Sequence, residues 1–149
     1  MTPTPRTSGF TLLELLITLT MLAILAVMAV PAWHRHMERG WRAEARSALI
    51  GAMLELERHA LATMSFAAQP GGAVVAGNWP RAVPGQAARP RHLISAGACP
   101  SGGLERCVEL RAVPQTPDAP CGVLILRSTG EWLAQPAFAA EPVPLPPAC

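Results

Sequence analysis

Apolar residues fill nearly every position from Phe10 to Pro31, with only Thr11, Glu14, Thr18 and Thr20 interrupting them. An unbroken run of this kind predicts a helix that is hydrophobic on all sides, the pattern of a membrane span. Residues 10–33 would rise roughly 36 Å at 1.5 Å per residue, enough to cross a hydrocarbon core of about 30 Å. Beyond Pro31 the pattern changes without losing its period. Small or apolar residues recur from Met37 at Trp41, Ala45, Ala48, Ala52, Leu56 and Ala60, close to i, i+4 spacing. Glu38 and Arg42 stand at i, i+4 with the acid on the favourable N-terminal side. Gly40 and Gly51 weaken the helix by about 1 kcal/mol each relative to alanine. The expectation is one long helix from Phe10 to Thr63, bent but not ended at Pro31. Two helices broken at that proline are the alternative.

Residues 67–91 read as loop, punctuated by Gln69-Pro70-Gly71-Gly72, Trp79-Pro80, Pro84-Gly85 and Arg89-Pro90. Strand signals follow. Residues 107–112 alternate, 122–126 form a fuller apolar run, and Ser128-Thr129-Gly130 turns into Glu131-Trp132-Leu133. A proline-rich tail occupies residues 142–147. The predicted fold class is α+β, a long N-terminal helix packed on a small antiparallel sheet. The organisation expected is residues 1–9 as a leader, 10–33 as the span, 34–65 as the amphipathic half of the helix, and 66–149 as the globular remainder.

Composition changes this picture little. The 149 residues suit one domain, and half are hydrophobic, many of them inside the span. The soluble part has a modest core, of a size where covalent staples help. A net charge of +2 is too small to argue for nucleic acid or an acidic membrane surface. Four cysteines, Cys99, Cys107, Cys121 and Cys149, all lie in the last third. Their even number and position favour disulfides and an oxidising compartment, with three pairings open. None has the C-x-x-C spacing of a zinc or redox site.

Enzymatic chemistry is not expected. Asp118 sits in a proline-flanked turn with nothing in the sequence to place a histidine beside it. His34, His36, His59 and His92 lack H-E-x-x-H spacing, and no phosphate-binding glycine loop is present. No metal, cofactor or small-molecule substrate is implied. Arg35, Arg39, Arg42 and Arg46 lie at helical spacing and are candidates for contact with DNA phosphates or lipid headgroups. The alternative is that they pair with Glu38 and with neighbouring subunits. Arg81, Arg89 and Arg91 form a second, weaker basic group. Trp79 and Trp132 are candidate surface contacts, against the plainer reading of packing.

Glu14 remains to be explained, because a carboxylate inside a span costs about 2.5–3.5 kcal/mol. A secretory signal peptide has no use for it, and in a generic anchor it could snorkel to the interface because it lies near one end. Cleavage between Gly9 and Phe10 would give Phe10 a free amine one helical turn from Glu14. In a dry bundle of identical helices, that carboxylate could pair with a neighbour's amine and fix the axial register.

Gly9-Phe10-Thr11-Leu12-Leu13-Glu14 resembles the processing site of type IV prepilins. The resemblance implies a dedicated prepilin peptidase that cuts after Gly9, N-methylation of Phe10, and Glu14 as the assembly residue. It also implies a helix bend at Pro31 and, for the short basic stretch 1–9, a leader. The implied fold is that of type IV pilins. The implied partners are other pilins in a helical filament and an inner-membrane assembly platform. The implied location is the bacterial inner membrane as a single-pass protein, then an extracellular pilus or a periplasmic filament. Pseudopilins of type II secretion share the motif. Arg42-Ala43-Glu44-Ala45, Leu56-Glu57-Arg58, Asp118-Ala119-Pro120-Cys121-Gly122 and Ser128-Thr129-Gly130 resemble PilE-like minor pilins. In those a cysteine-glycine opens a strand and a C-terminal cysteine closes the loop, which here implies Cys121–Cys149. Cys99 with Cys107 is the favoured second pair and does not map onto the family. A DNA-binding competence pilin and a secreted or membrane-anchored binding domain are the remaining alternatives.

Overall fold

A computed structural model describes residues 10–85 and 87–149. One α-helix, α1 (Leu12–Thr63), precedes six strands: β1 (Arg81–Val83), β2 (His92–Ala98), β3 (Val108–Pro114), β4 (Val123–Arg127), β5 (Trp132–Gln135) and β6 (Val143–Pro144). Pro31 lies inside α1, so the chain does not form two helices parted at that residue. The described chain divides into two compact units, one ending at Glu38 and the other running from Arg39 to Cys149.

In the second unit the strands form an antiparallel meander in sequence order. Register follows from which side chains must face the helix. Ala112 lies opposite Ile94 and Leu124, and Leu110 opposite Ala96 and Leu126. Strand alternation therefore places all of these on one face with Val108. Against that face α1 presents Ala45, Leu49, Ala52, Met53 and Leu56, all buried. The alanines bring helix and sheet close, and Leu49 and Met53 fill the space between them. The alanine-rich row read from the sequence captured Ala45, Ala52 and Leu56, while Trp41, Ala48 and Ala60 are only half-buried. Leu49 and Met53 continue the i, i+4 row of Met37, Trp41 and Ala45, where the expected row steps to Ala48 instead.

Three strands were not expected. β1 and β2 lie in or just after the supposed loop, and β6 lies within the proline-rich tail. β2, His-Leu-Ile-Ser-Ala-Gly-Ala, has small residues where strand signals are usually branched or aromatic, and pairing with β3 along its length decides it. β6 is an edge strand, where proline is tolerated because the outward side needs no donor. Pro80 and Pro84 flank β1 at the opposite edge, so both edges resist adding a further strand.

The face turned away from α1 carries an ion-pair ladder. Glu109, buried on β3, accepts from Arg111 at 3.0 Å and from Arg127 at 2.8 Å, and Arg127 also reaches Glu131 at 2.7 Å. The bond to Glu109 is the main reason the Arg127 guanidinium is held above its ordinary pKa, while partial burial opposes it.

Gly122 opens the β4 segment with φ of 59°. A Cβ there would run into the Gln135 carbonyl and lie 2.9 Å from the Pro136 Cα. Gly122→Ala should lower unfolding free energy by about 2–4 kcal/mol, combining left-handed strain with this clash. Denaturant unfolding measures it, and a loss below about 0.5 kcal/mol would show that β4 can shift freely.

Candidate functional site

The N-terminal end of α1 is built by its own sequence. Thr11 precedes the first helical residue, and its Oγ1 accepts from the Glu14 backbone N–H at 3.3 Å. Its carbonyl accepts from Leu15 N–H at 3.2 Å. Thr11 is thus the N-cap, and Glu14 stands three residues later in the Thr-x-x-Glu spacing of a capping box. A carboxylate in the first turn also faces the positive end of the helix dipole. Glu14 therefore has a local role that the sequence reading passed over, although the spacing was its signal. Phe10 and Glu14 are both exposed, Phe10 by 77 %. Gly9 and the rest of the leader, residues 1–9, lie outside the described residues.

The segment that follows suits lipid or a dry bundle. Thr18 and Thr20 donate their hydroxyls to the Leu15 and Ile17 carbonyls at 2.9 and 2.8 Å, so neither hydroxyl seeks an outside partner. All residues from 10 to 36 are exposed, and an 18-residue window of α1 reaches a mean hydropathy of 2.5. This helix is long and apolar enough to cross a membrane.

The four helical arginines separate. Arg35 and Arg39 are exposed and Arg46 is half-buried, but Arg42 is buried. Arg42 donates from Nε and one terminal nitrogen to the two Asp118 oxygens at 2.7 and 2.8 Å. Its other terminal nitrogen donates to the Ala148 carbonyl at 3.2 Å. A guanidinium fixed in this bidentate fork is not free to meet a phosphate. The expected basic row thus loses its third member. The second basic group dissolves similarly: Arg81 pairs with Glu55 and lies over Trp79, and Arg91 lies 4.0 Å above the Trp41 ring. Trp79 and Trp132 pack against the core, and Trp79 Nε1 donates to the Ala76 carbonyl at 2.9 Å.

A covalent tie stands beside the Arg42 fork. Cys121 and Cys149 are joined, with Cα atoms 5.6 Å apart, and Cys99 is joined to Cys107 at 5.5 Å. Loop-closure entropy gives the first bridge roughly 3.5 kcal/mol and the second about 2.5 kcal/mol. Arg42 therefore holds, through Asp118 and Ala148, both ends of the segment that the first bridge closes. His92 is buried in the same neighbourhood, and its Nδ1 has no hydrogen-bond partner among the described residues. Asp118 and Glu44 attract a proton to it and Arg42 repels one, but burial dominates and lowers its pKa below 6.5. No local pattern in the sequence signals that Asp118 and a histidine come near each other. Among the described residues, no group of three or more His, Cys, Asp or Glu side chains is placed to hold a metal ion.

Residues 4–30 match the family model of the prokaryotic N-terminal methylation motif. No curated protein and no solved structure matches the chain. The motif indicates a prepilin-type protein, pilin or pseudopilin, which implies processing by a prepilin peptidase and assembly with other pilins. Proteins of this type are structural, not enzymatic. The apolar helix fits a membrane-anchored form, and the α+β architecture is consistent with a pilin fold.

Breaking the buried pair by Arg42→Met should cost about 3–5 kcal/mol, because Asp118 is left without its partner. Adding Asp118→Leu should return a large part of that loss. Urea unfolding of the two variants separates the outcomes, and equal instability in both would assign the loss to packing alone. His92 gives a pH signature. Its folded pKa is depressed, so its contribution is complete above pH 6.5 and is lost as pH falls below that value. The melting temperature should therefore drop more steeply below pH 6.5 in the natural chain than in His92→Gln, and parallel curves would remove His92 from the account.

Proposed function

We propose that this chain is a structural subunit of a type IV pilus, a minor pilin. It is cut after Gly9, N-methylated at Phe10, and drawn from the inner membrane into a filament through its N-terminal helix. The observation that carries the proposal is the methylation motif at residues 4–30, whose part from Leu12 on falls in the exposed, apolar stretch of α1 that Thr11 caps. An exposed helix of this composition needs either lipid or other apolar helices around it, and a filament core supplies the second. Within such a core Glu14 accepts the Phe10 amine of a neighbouring subunit, and that pairing selects the axial offset. Pro31 supplies a bend by removing one backbone donor within α1.

The choice of pilus over type II pseudopilus rests on the head. A bridge from Cys121 to Cys149 closes the C-terminal region in the manner of PilE-like minor pilins, whereas pseudopilins usually lack one. The assembly platform and any transport of the filament beyond the periplasm belong to this reading. DNA capture is not part of it, because the basic row that would support it is interrupted at Arg42.

The experiment is the mass of the N-terminal peptide of the mature protein from its native membrane. A methylated Phe10 start is expected, and a start at Met1 or Val30 would overturn the proposal. Glu14→Ala should still be cleaved and methylated, while its amount in sheared filaments falls about tenfold, the scale of one lost buried ion pair. Quantitative blotting of the sheared fraction reads this, and undiminished incorporation would remove Glu14 from assembly.

A further inference from the structure

Within the second unit, the exposed side of α1 carries an apolar row with one charge set into it. Ile50, Leu54, Glu57 and Leu61 follow one another at steps of four, three and four residues, which keeps them on one face of the helix. Ile50 and Leu54 are 48 % and 49 % exposed, and Leu61 is 83 % exposed. An open groove of about 360 Å³ runs beside this row, lined by Ile50, Leu54 and Glu57 on the helix and by Trp132 and the turn at residues 128–130 on the sheet. A second hollow, of about 390 Å³, continues past Leu61, and Glu57 borders both.

Among the described residues the Glu57 carboxylate makes no ion pair. An apolar helical row with a single unmatched carboxylate is complementary to another apolar row that carries a single cation at the matching step.

Met28, Ala32 and Arg35 have that pattern. They stand at steps of four and three residues, the same as Ile50, Leu54 and Glu57, and all three are exposed. At 100° per residue each trio spans roughly 60° of its helix, so each forms one face. Arg35 makes no ion pair among the described residues. We infer that the Ile50–Leu54–Glu57 row docks residues 28–35 of a second copy of this chain. A shift of 22 residues, the separation of Arg35 from Glu57, sets Met28 against Ile50, Ala32 against Leu54 and Arg35 against Glu57 at once. Copies anchored in one membrane run in the same direction, and the small Ala32 lets two parallel helices approach closely. Arg39 in the place of Arg35 would set His36 against Leu54, so the apolar match selects Arg35. The shift is about 33 Å along the helix, whereas pairing Glu14 with a neighbour's Phe10 amine needs only about 6 Å, so the two contacts join different copies. This contact rests on the reading of the chain as a filament subunit, which brings many copies together.

A photo-crosslinking amino acid at Leu54, in the full-length chain expressed in its own cells, tests it. Sheared filaments should yield a dimer whose linked peptide contains residues 28–35. Glu57→Arg should reduce that product about tenfold, and Arg35→Glu alone should do the same. The double variant, Glu57→Arg with Arg35→Glu, should restore it, because every copy then supplies both exchanged charges. A merely structural role for Glu57 in its own head would not be rescued by a change at Arg35. A cross-link to lipid or to any other peptide, no dimer, or no restoration by the charge swap overturns the inference while leaving filament assembly standing. Absence of the natural chain from filaments overturns both.

Discussion

A single helix here has to satisfy two different solvents, and that constraint organises the molecule. Within a helix every backbone donor and acceptor between the ends is matched internally, so the same element can stand in lipid and serve as a wall of a folded head. What distinguishes its two halves is only the side chains. From Leu15 to Val30 they are apolar on all sides, and even the two threonine hydroxyls turn back to helix carbonyls. In the second unit a stripe of Ala45, Leu49, Ala52, Met53 and Leu56 is buried against the sheet, and the exposed side mixes Glu44, Ser47, Glu55 and Arg58 with Ile50, Leu54 and Leu61. The N-terminal end needs its own solution because its donors have no partners within the helix. Thr11 supplies one, and Glu14 places a charge favourable to the helix dipole at the same point. A carboxylate that already serves the end of its own helix costs less to keep in an apolar segment.

The head is held by a combination of weak packing and a few strong, specific ties. Its core is small, and the last fourteen residues after β5 contribute only a two-residue strand. Such a tail has little apolar area with which to hold itself down. The Cys121–Cys149 bridge reduces the entropy it gains by leaving, and Arg42 binds the same region from the helix through Asp118 and Ala148. A buried guanidinium is tolerated because its planar fork matches the carboxylate and its remaining donor finds a carbonyl. On the far face of the sheet, Glu109 is likewise buried only because Arg111 and Arg127 both reach it.

Several features were legible in the sequence because they depend on neighbours along the chain. The apolar run, the helical period past Pro31, and the strands at 108–114, 123–127 and 132–135 are local patterns of side-chain spacing. The motif from Gly9 to Glu14 is also local, since it is a short linear segment. The Thr11 cap is equally local, since the Thr-x-x-Glu spacing with Glu14 stands in the sequence.

Other features required the folded chain. β2 has no strong strand signal, and β6 is built on prolines; each exists because an adjacent strand offers hydrogen bonds. Arg42 looked like one cation in a helical row, and only a residue 76 positions away turns it into an internal tie. Even cysteine number announced disulfides, but which sulfurs meet depends on where the tail returns. The sequence by itself determined the membrane-entering helix, the processing motif and the fold class, since these follow from local period and short-range chemistry. The tertiary structure decided which charges are buried, which arginines remain outside, and where an apolar surface is left uncovered, because burial is a property of residues brought together from distant parts of the chain.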